Sequence, residues 1–170
     1  MNDFALLRLA GIASVAAGAT RIGTSFLVWD STAVWQELLA TGIDVLLLFG
    51  LMGAYLAHRA ALGWAGLLAF VLAEAGIASI VGPDTVKFGV DTYLAGVHAI
   101  SIGLALLGIV MLTARVEVLA AVCWIASLCV GLAGGFVGFA TEAFMIGGIL
   151  FGLGFVAAGI SLLMPASKSA

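Results

Sequence analysis

The sequence predicts an all-α fold: a polytopic membrane protein with six transmembrane helices arranged as three helical hairpins. Three observations predict it. The 170-residue chain is 64% hydrophobic and only 9% charged, with mean hydropathy +1.29, whereas soluble domains carry roughly 25% charge. Its apolar residues fall into six runs, at 5 to 28, 35 to 57, 62 to 82, 89 to 113, 117 to 139 and 143 to 164, each near the 20 or so residues that a bilayer core requires. Finally, 23 Gly, only 2 Pro and long Leu, Ala, Val and Ile runs read as helices, not as the alternating segments of about ten residues that build a membrane barrel.

Each span is justified by what bounds it. The first follows Met1-Asn2-Asp3-Phe4, which lacks the basic n-region of a cleavable signal, and it is too long for an h-region, so it reads as a retained span. Trp29-Asp30-Ser31-Thr32 closes it, and His58-Arg59 closes the second. Gly82-Pro83-Asp84-Thr85 ends the third, Arg115-Val116-Glu117 the fourth and Ala140-Thr141-Glu142 the fifth. Helix breakers and polar groups cluster at these turns as expected. Arg8, Arg59, Arg115 and Lys168 fall on one side and Lys87 on the other, so the positive-inside rule places both termini in the cytoplasm.

A repeat runs through this layout. Glu37-Leu-Leu-Ala-Thr-Gly42-Ile-Asp44 lies over Asp91-Thr-Tyr-Leu-Ala-Gly96-Val-His98 at an offset of 54, and Glu142-Ala-Phe-Met-Ile-Gly147 follows at 51. The chain therefore reads as one domain, 1–170, with repeats 5–57, 62–113 and 117–164. All three hairpins enter and leave on the same face, unlike the inverted repeats of many secondary transporters.

Arg21, Asp44, Glu74 and His98 are ionisable residues inside these apolar spans, where a charge costs a few kcal/mol or more. Counted from the cytoplasmic cations at about 1.5 Å per residue, Arg21, Asp44 and His98 sit at depths of roughly 20, 22 and 25 Å, all in the outer half. Glu74 falls at a depth of roughly 22 Å or somewhat less. Counting from the turns makes Arg21 with Asp44, and Glu74 with His98, mirror positions of their hairpins. Two readings follow. The groups form internal ion pairs that relieve each other's desolvation, or they make a proton or small polar solute site. Glu37, Asp91 and Glu142 fall at the outer rim, as solvated acids at helix N-termini or as a mouth that collects cations.

Other chemistries are disfavoured. His58 lies at the cytoplasmic edge, roughly 25 Å from His98, so the two histidines cannot flank one haem. No Lys lies within a span, and no Ser or Cys has an evident base, so an enzyme is not expected, nor a cofactor or metal. A net charge of −3 with no basic stripe argues against nucleic acid. Cys123 and Cys129 share a helix roughly 9 Å apart, too far to bond to each other, and read as buried thiols. Gly131-x-x-x-Gly135, Gly134-x-x-x-Gly138 and Gly148-x-x-x-Gly152 predict close helix packing, of helix five on helix six or, as the alternative, across a dimer. Trp29, Trp35, Trp64 and Trp124 lie mostly near span ends, where aromatic anchors sit.

Three short hairpins with Gly-rich first helices, and Gly-Pro-Asp-Thr with Gly96 thirteen residues after Pro83, resemble the HdeD-like family of small six-span bacterial membrane proteins. A broad group of similar six-span bacterial proteins shares the layout. That family places a Trp-Pro-Gly turn in its hairpins, whereas hairpins one and three here contain no Pro, so the likeness is one of layout and lends no site residues. It implies a stress-related inner-membrane protein that is not an enzyme. The sequence as a whole points to an accessory or stabilising subunit that acts through a membrane protein partner or as a homo-oligomer, with a small channel or proton-coupled carrier as the alternative.

Overall fold

The computed structural model describes residues 3–30, 33–82, 86–87, 89–137 and 139–164. Five helices carry the fold: α1 (Asp3–Thr24), α2 (Val34–Ile80), α3 (Thr92–Ala114), α4 (Val118–Val137) and α5 (Ala140–Leu163). All five are long and apolar enough to cross a membrane. Their outward faces are as apolar as the interior, with Phe136 90%, Trp64 80% and Phe144 71% exposed, the all-round pattern of helices surrounded by lipid.

The second and third expected spans occupy one element. Helix α2 runs for 47 residues and contains a single non-helical residue, Gly63, at φ 58 and ψ −155. This conformation is essentially reserved for glycine. Tyr55 and Phe70, on either side of the break, stack with ring centroids 4.3 Å apart, whereas fifteen residues of straight helix would separate them by about 22 Å. The two arms of α2 therefore bend toward each other at Gly63. The turn expected at His58-Arg59 is therefore continuous helix, and the break falls instead at Gly63, where the missing Cβ admits the conformation.

A second departure lies before α3. Val86–Lys87 (β1) and Val90–Asp91 (β2) pair antiparallel, with Gly89 at φ 77 in the turn, so the helix starts at Thr92 instead of near residue 89. Asp91 is its N-cap, its side chain accepting from the Leu94 N–H at 3.1 Å. Residues Pro83, Asp84 and Thr85 of the turn, together with Lys168 of the tail, lie outside the described residues.

The core runs through the middle of the bundle. Leu51, Leu104, Leu107, Met111, Trp124 and Phe155 are each 1% exposed or less, and Trp124 meets Phe155 edge to face with centroids 5.3 Å apart. Trp124 is thus a core residue, not an interfacial anchor; Trp29, Trp35 and Trp64 remain on the surface. The cysteines also divide, Cys123 buried and Cys129 exposed, neither in a disulfide.

Glycine sets where helices touch. A Cβ built on Gly18 would stand 2.5 Å from the Gly152 carbonyl oxygen, and one on Gly11 2.9 Å from that of Gly159. Two glycine pairs with opposite order along the chain make α1 and α5 antiparallel neighbours in backbone contact. Gly148 and Gly152 therefore seat α5 on α1, not on α4 as the small-residue spacing suggested. Gly131 and Gly135 meet nothing within 4 Å, because they lie on the open side of α4; Gly138 falls outside the described residues. The contact between α4 and α5 is made instead by Gly134 against Ala143 and by Gly154 under the Trp124 indole.

Candidate functional site

The four ionisable residues that the sequence singled out lie on three helices: Arg21 on α1, Asp44 and Glu74 on α2, and His98 on α3. Among the described residues, none of Arg21, Asp44, Glu74 and His98 makes an ion pair within 4 Å. Arg21 donates from Nη1 to Thr24 Oγ1 at 3.4 Å on its own helix, and its guanidinium lies beside Gly148 of α5. It remains within electrostatic range of Asp44, which is half-buried on the first arm of α2. No direct contact joins them.

Glu74 and His98 diverge more completely. Glu74 sits half-buried on the second arm of α2, and its Oε1 is buried without a hydrogen-bond partner among the described residues. His98 is exposed on α3, where its Nδ1 bonds the Leu94 carbonyl one turn back at 2.7 Å. A carbonyl only accepts, so Nδ1 carries the hydrogen. Mirror positions about a turn fix the level of two residues along a hairpin but not the angular face each occupies, and here the faces differ.

The three rim acids keep to helix starts. Glu37 lies in the first turn of α2, Glu142 in the first turn of α5, and Asp91 caps α3. An acid there offsets the positive end of the helix dipole. No group of three His, Cys, Asp or Glu side chains positioned to hold a metal occurs among the described residues.

Three polar tethers escaped the sequence reading. Gln36, 6% exposed, accepts the Asp30 N–H on Oε1 at 2.7 Å and donates from Nε2 to the Val28 carbonyl at 3.4 Å, clasping the α1–α2 connection. Ser14, fully buried, donates to the Phe155 carbonyl at 2.7 Å while its backbone packs against Gly50. One small side chain thus sits where α1, α2 and α5 meet. A Ser between Ala and Val in an apolar span is a weak signal; only the neighbouring Gly50 and Phe155 give it meaning.

The third tether joins three elements at the end of the bundle that bears Arg59 and Arg115. Glu117, in the α3–α4 turn, adopts φ 47 and has its side chain only 6% exposed. Its Oε1 accepts from Ser161 Oγ of α5 at 2.5 Å and lies 3.6 Å from His58 Nε2 on α2. His58 Nδ1 faces the Ala54 carbonyl at 3.1 Å, so Nδ1 is the donor and Nε2 is turned to the carboxylate. Residues 58, 117 and 161 are too far apart in sequence for any local pattern to pair them. The signal was a lone acid among basic turn residues, legible only once α2, α4 and α5 are known to converge.

Beside Glu117, an open groove of about 310 Å³ runs between the start of α4 and the end of α5, walled by Val118, Leu119, Ala157, Ile160 and Met164, with Ser161 on its edge. A second depression, between α2 and α3 at Gly76 and Gly96, is almost wholly apolar. No family model, no curated protein and no solved structure matches the chain.

Proposed function

We propose that this chain is a non-enzymatic protein of the bacterial inner membrane, crossing it six times with both termini in the cytoplasm, and serving as an accessory or stabilising subunit for other membrane proteins. Each arm of α2 is one crossing: 47 residues of helix span about 70 Å, more than twice a hydrocarbon core of about 30 Å. The observation that carries the role is the filled centre. Large side chains at 1% exposure or less, Trp124 and Phe155 foremost, occupy the axis that a conducting path would need, and close-packed interiors admit few voids. Among the described residues, Arg21, Asp44, Glu74 and His98 form no ion pair with one another within 4 Å. What remains for function is the outer surface.

The test is a deletion. Removing the chain from cells should lower the abundance of at least one other membrane protein, and the tagged chain should co-purify with that protein in gentle detergent. A chain that purifies alone from its native level of expression, with the membrane proteome unchanged by its loss, overturns the accessory reading.

One observation favours a proton-coupled carrier instead. Glu74 Oε1 is buried without a hydrogen-bond partner among the described residues, an arrangement that costs free energy while the carboxyl is ionised. Proteoliposomes decide between the two. Proton flux abolished by Glu74→Gln establishes the carrier, and absence of flux in the unaltered protein removes it.

A further inference from the structure

We infer that the groove beside Glu117 binds a phospholipid through its primary-ammonium headgroup. The inference needs the membrane embedding of the chain but not its accessory role. A groove of about 310 Å³ is near the lower bound of ligand pockets, about 300 to 1,000 Å³, and suits one hydrocarbon segment with a small polar end. Its walls, Val118, Leu119, Ala157, Ile160 and Met164, offer an acyl chain only apolar contact. At one side the Glu117 carboxylate is almost wholly withdrawn from solvent.

That carboxylate defines the headgroup. The Ser161 hydrogen bond and the approach of His58 both fall on Oε1, while an ionised carboxylate accepts about four hydrogen bonds in all. The remaining acceptor capacity, in an apolar setting, favours a small cationic donor over any anion. Arg115 stands two residues before Glu117, and Arg59 follows His58; both are exposed, and neither lines the groove. Negative inside and positive outside is the complement of a zwitterion whose ammonium enters the groove and whose phosphate stays at the rim. A primary ammonium donates up to three hydrogen bonds; the choline ammonium, fully methylated, donates none.

Native mass spectrometry of the detergent-solubilised full chain, titrated with phosphatidylethanolamine and with phosphatidylcholine of matched acyl chains, tests the assignment. The expected result is retention of the ethanolamine lipid about tenfold over the choline lipid, the scale of one charge-assisted hydrogen bond. Glu117→Gln should erase the preference. Because Glu117 also ties α2 to α5, a second variant leaves that tie intact: Ile160→Trp, on the exposed wall, should fill the groove and cut retention of the ethanolamine lipid to the choline level. Equal retention of the two lipids by the unaltered chain overturns the proposal, as does a preference that survives both variants or a second copy of the chain in place of the lipid. Alkaline washing of membranes separates the premises. A chain that washes off defeats the membrane reading itself; one that stays yet ignores the headgroup defeats only the lipid site.

Discussion

Ser14 and Gln36 show how a buried polar side chain acts in opposite ways according to what its removal leaves behind. Ser14 donates to a carbonyl of α5 that helix geometry already pairs with an N–H one turn on, so deleting the hydroxyl strands nothing. Hydrogen bonds between membrane helices are worth about 0.6 kcal/mol on average, and Ser14→Ala should cost no more than about 1 kcal/mol. Its volume matters more. Gly50 meets Ser14 Cβ and Cα so closely that Ser14→Leu should be far worse, about 1–3 kcal/mol or beyond from overpacking. Gln36 is the reverse case: it satisfies a donor at Asp30 and an acceptor at Val28 in the α1–α2 connection. Gln36→Leu keeps the volume and loses both bonds, for an expected cost of about 1–3 kcal/mol. Thermal unfolding in one detergent, compared across the three variants, checks the ranking: Ser14→Ala mildest, the other two clearly below it.

At the scale of elements, two glycines with opposite surroundings make the sharper test. Gly63 holds α2 at φ 58 and ψ −155, and Gly63→Ala should lower stability by about 1–3 kcal/mol through backbone strain alone, since a Cβ there would meet no neighbouring atom. Gly42 also faces open space but lies in regular helix, so Gly42→Ala should be neutral or stabilising by up to about 1 kcal/mol. A loss of the same size at both positions would count against the bend at Gly63. The contrast also explains what the sequence could reveal of the fold. Span positions followed from hydropathy, a sum over twenty residues that no single contact can overturn. Hydropathy and the polar pair also put a break at His58-Arg59, but did not single out the residue that makes it, Gly63. In the same way Gly131 and Gly135 carried the spacing for close packing, yet α4 turns them outward, while Gly11, Gly18, Gly152 and Gly159 form the α1–α5 contact. Spacing identifies a stripe; which helix faces the stripe is a property of the bundle. The candidate site was less legible for that reason. Arg21, Asp44, Glu74 and His98 were found by their cost in lipid, but their facing directions, and the meeting of His58, Glu117 and Ser161, depend on how distant helices are arranged.

For the whole molecule, the decisive quantity is how often the chain crosses the membrane. Five helical elements with α2 crossing once would place Asp30 and Ala60 on opposite faces, as would six crossings, so those two positions cannot settle the count; the fate of the chain after Gly63 does. With six crossings, the start of α3 returns to the outer face and Tyr93 lies on the same side as Asp30 and Thr141. With five, Tyr93 joins Ala60 on the inner face and the order of every later turn is inverted. Single cysteines at Asp30, Ala60, Tyr93 and Thr141, all exposed, in a background with Cys123 and Cys129 replaced by Ala, separate the two arrangements. A membrane-impermeant maleimide applied to intact spheroplasts should label Asp30→Cys, Tyr93→Cys and Thr141→Cys, and should reach Ala60→Cys only after permeabilisation. Labelling of Tyr93→Cys and Ala60→Cys from one side would mean that the stacked arms of α2, joined at Tyr55 and Phe70, do not each traverse the bilayer. It would also move Glu117 and its groove to the opposite leaflet.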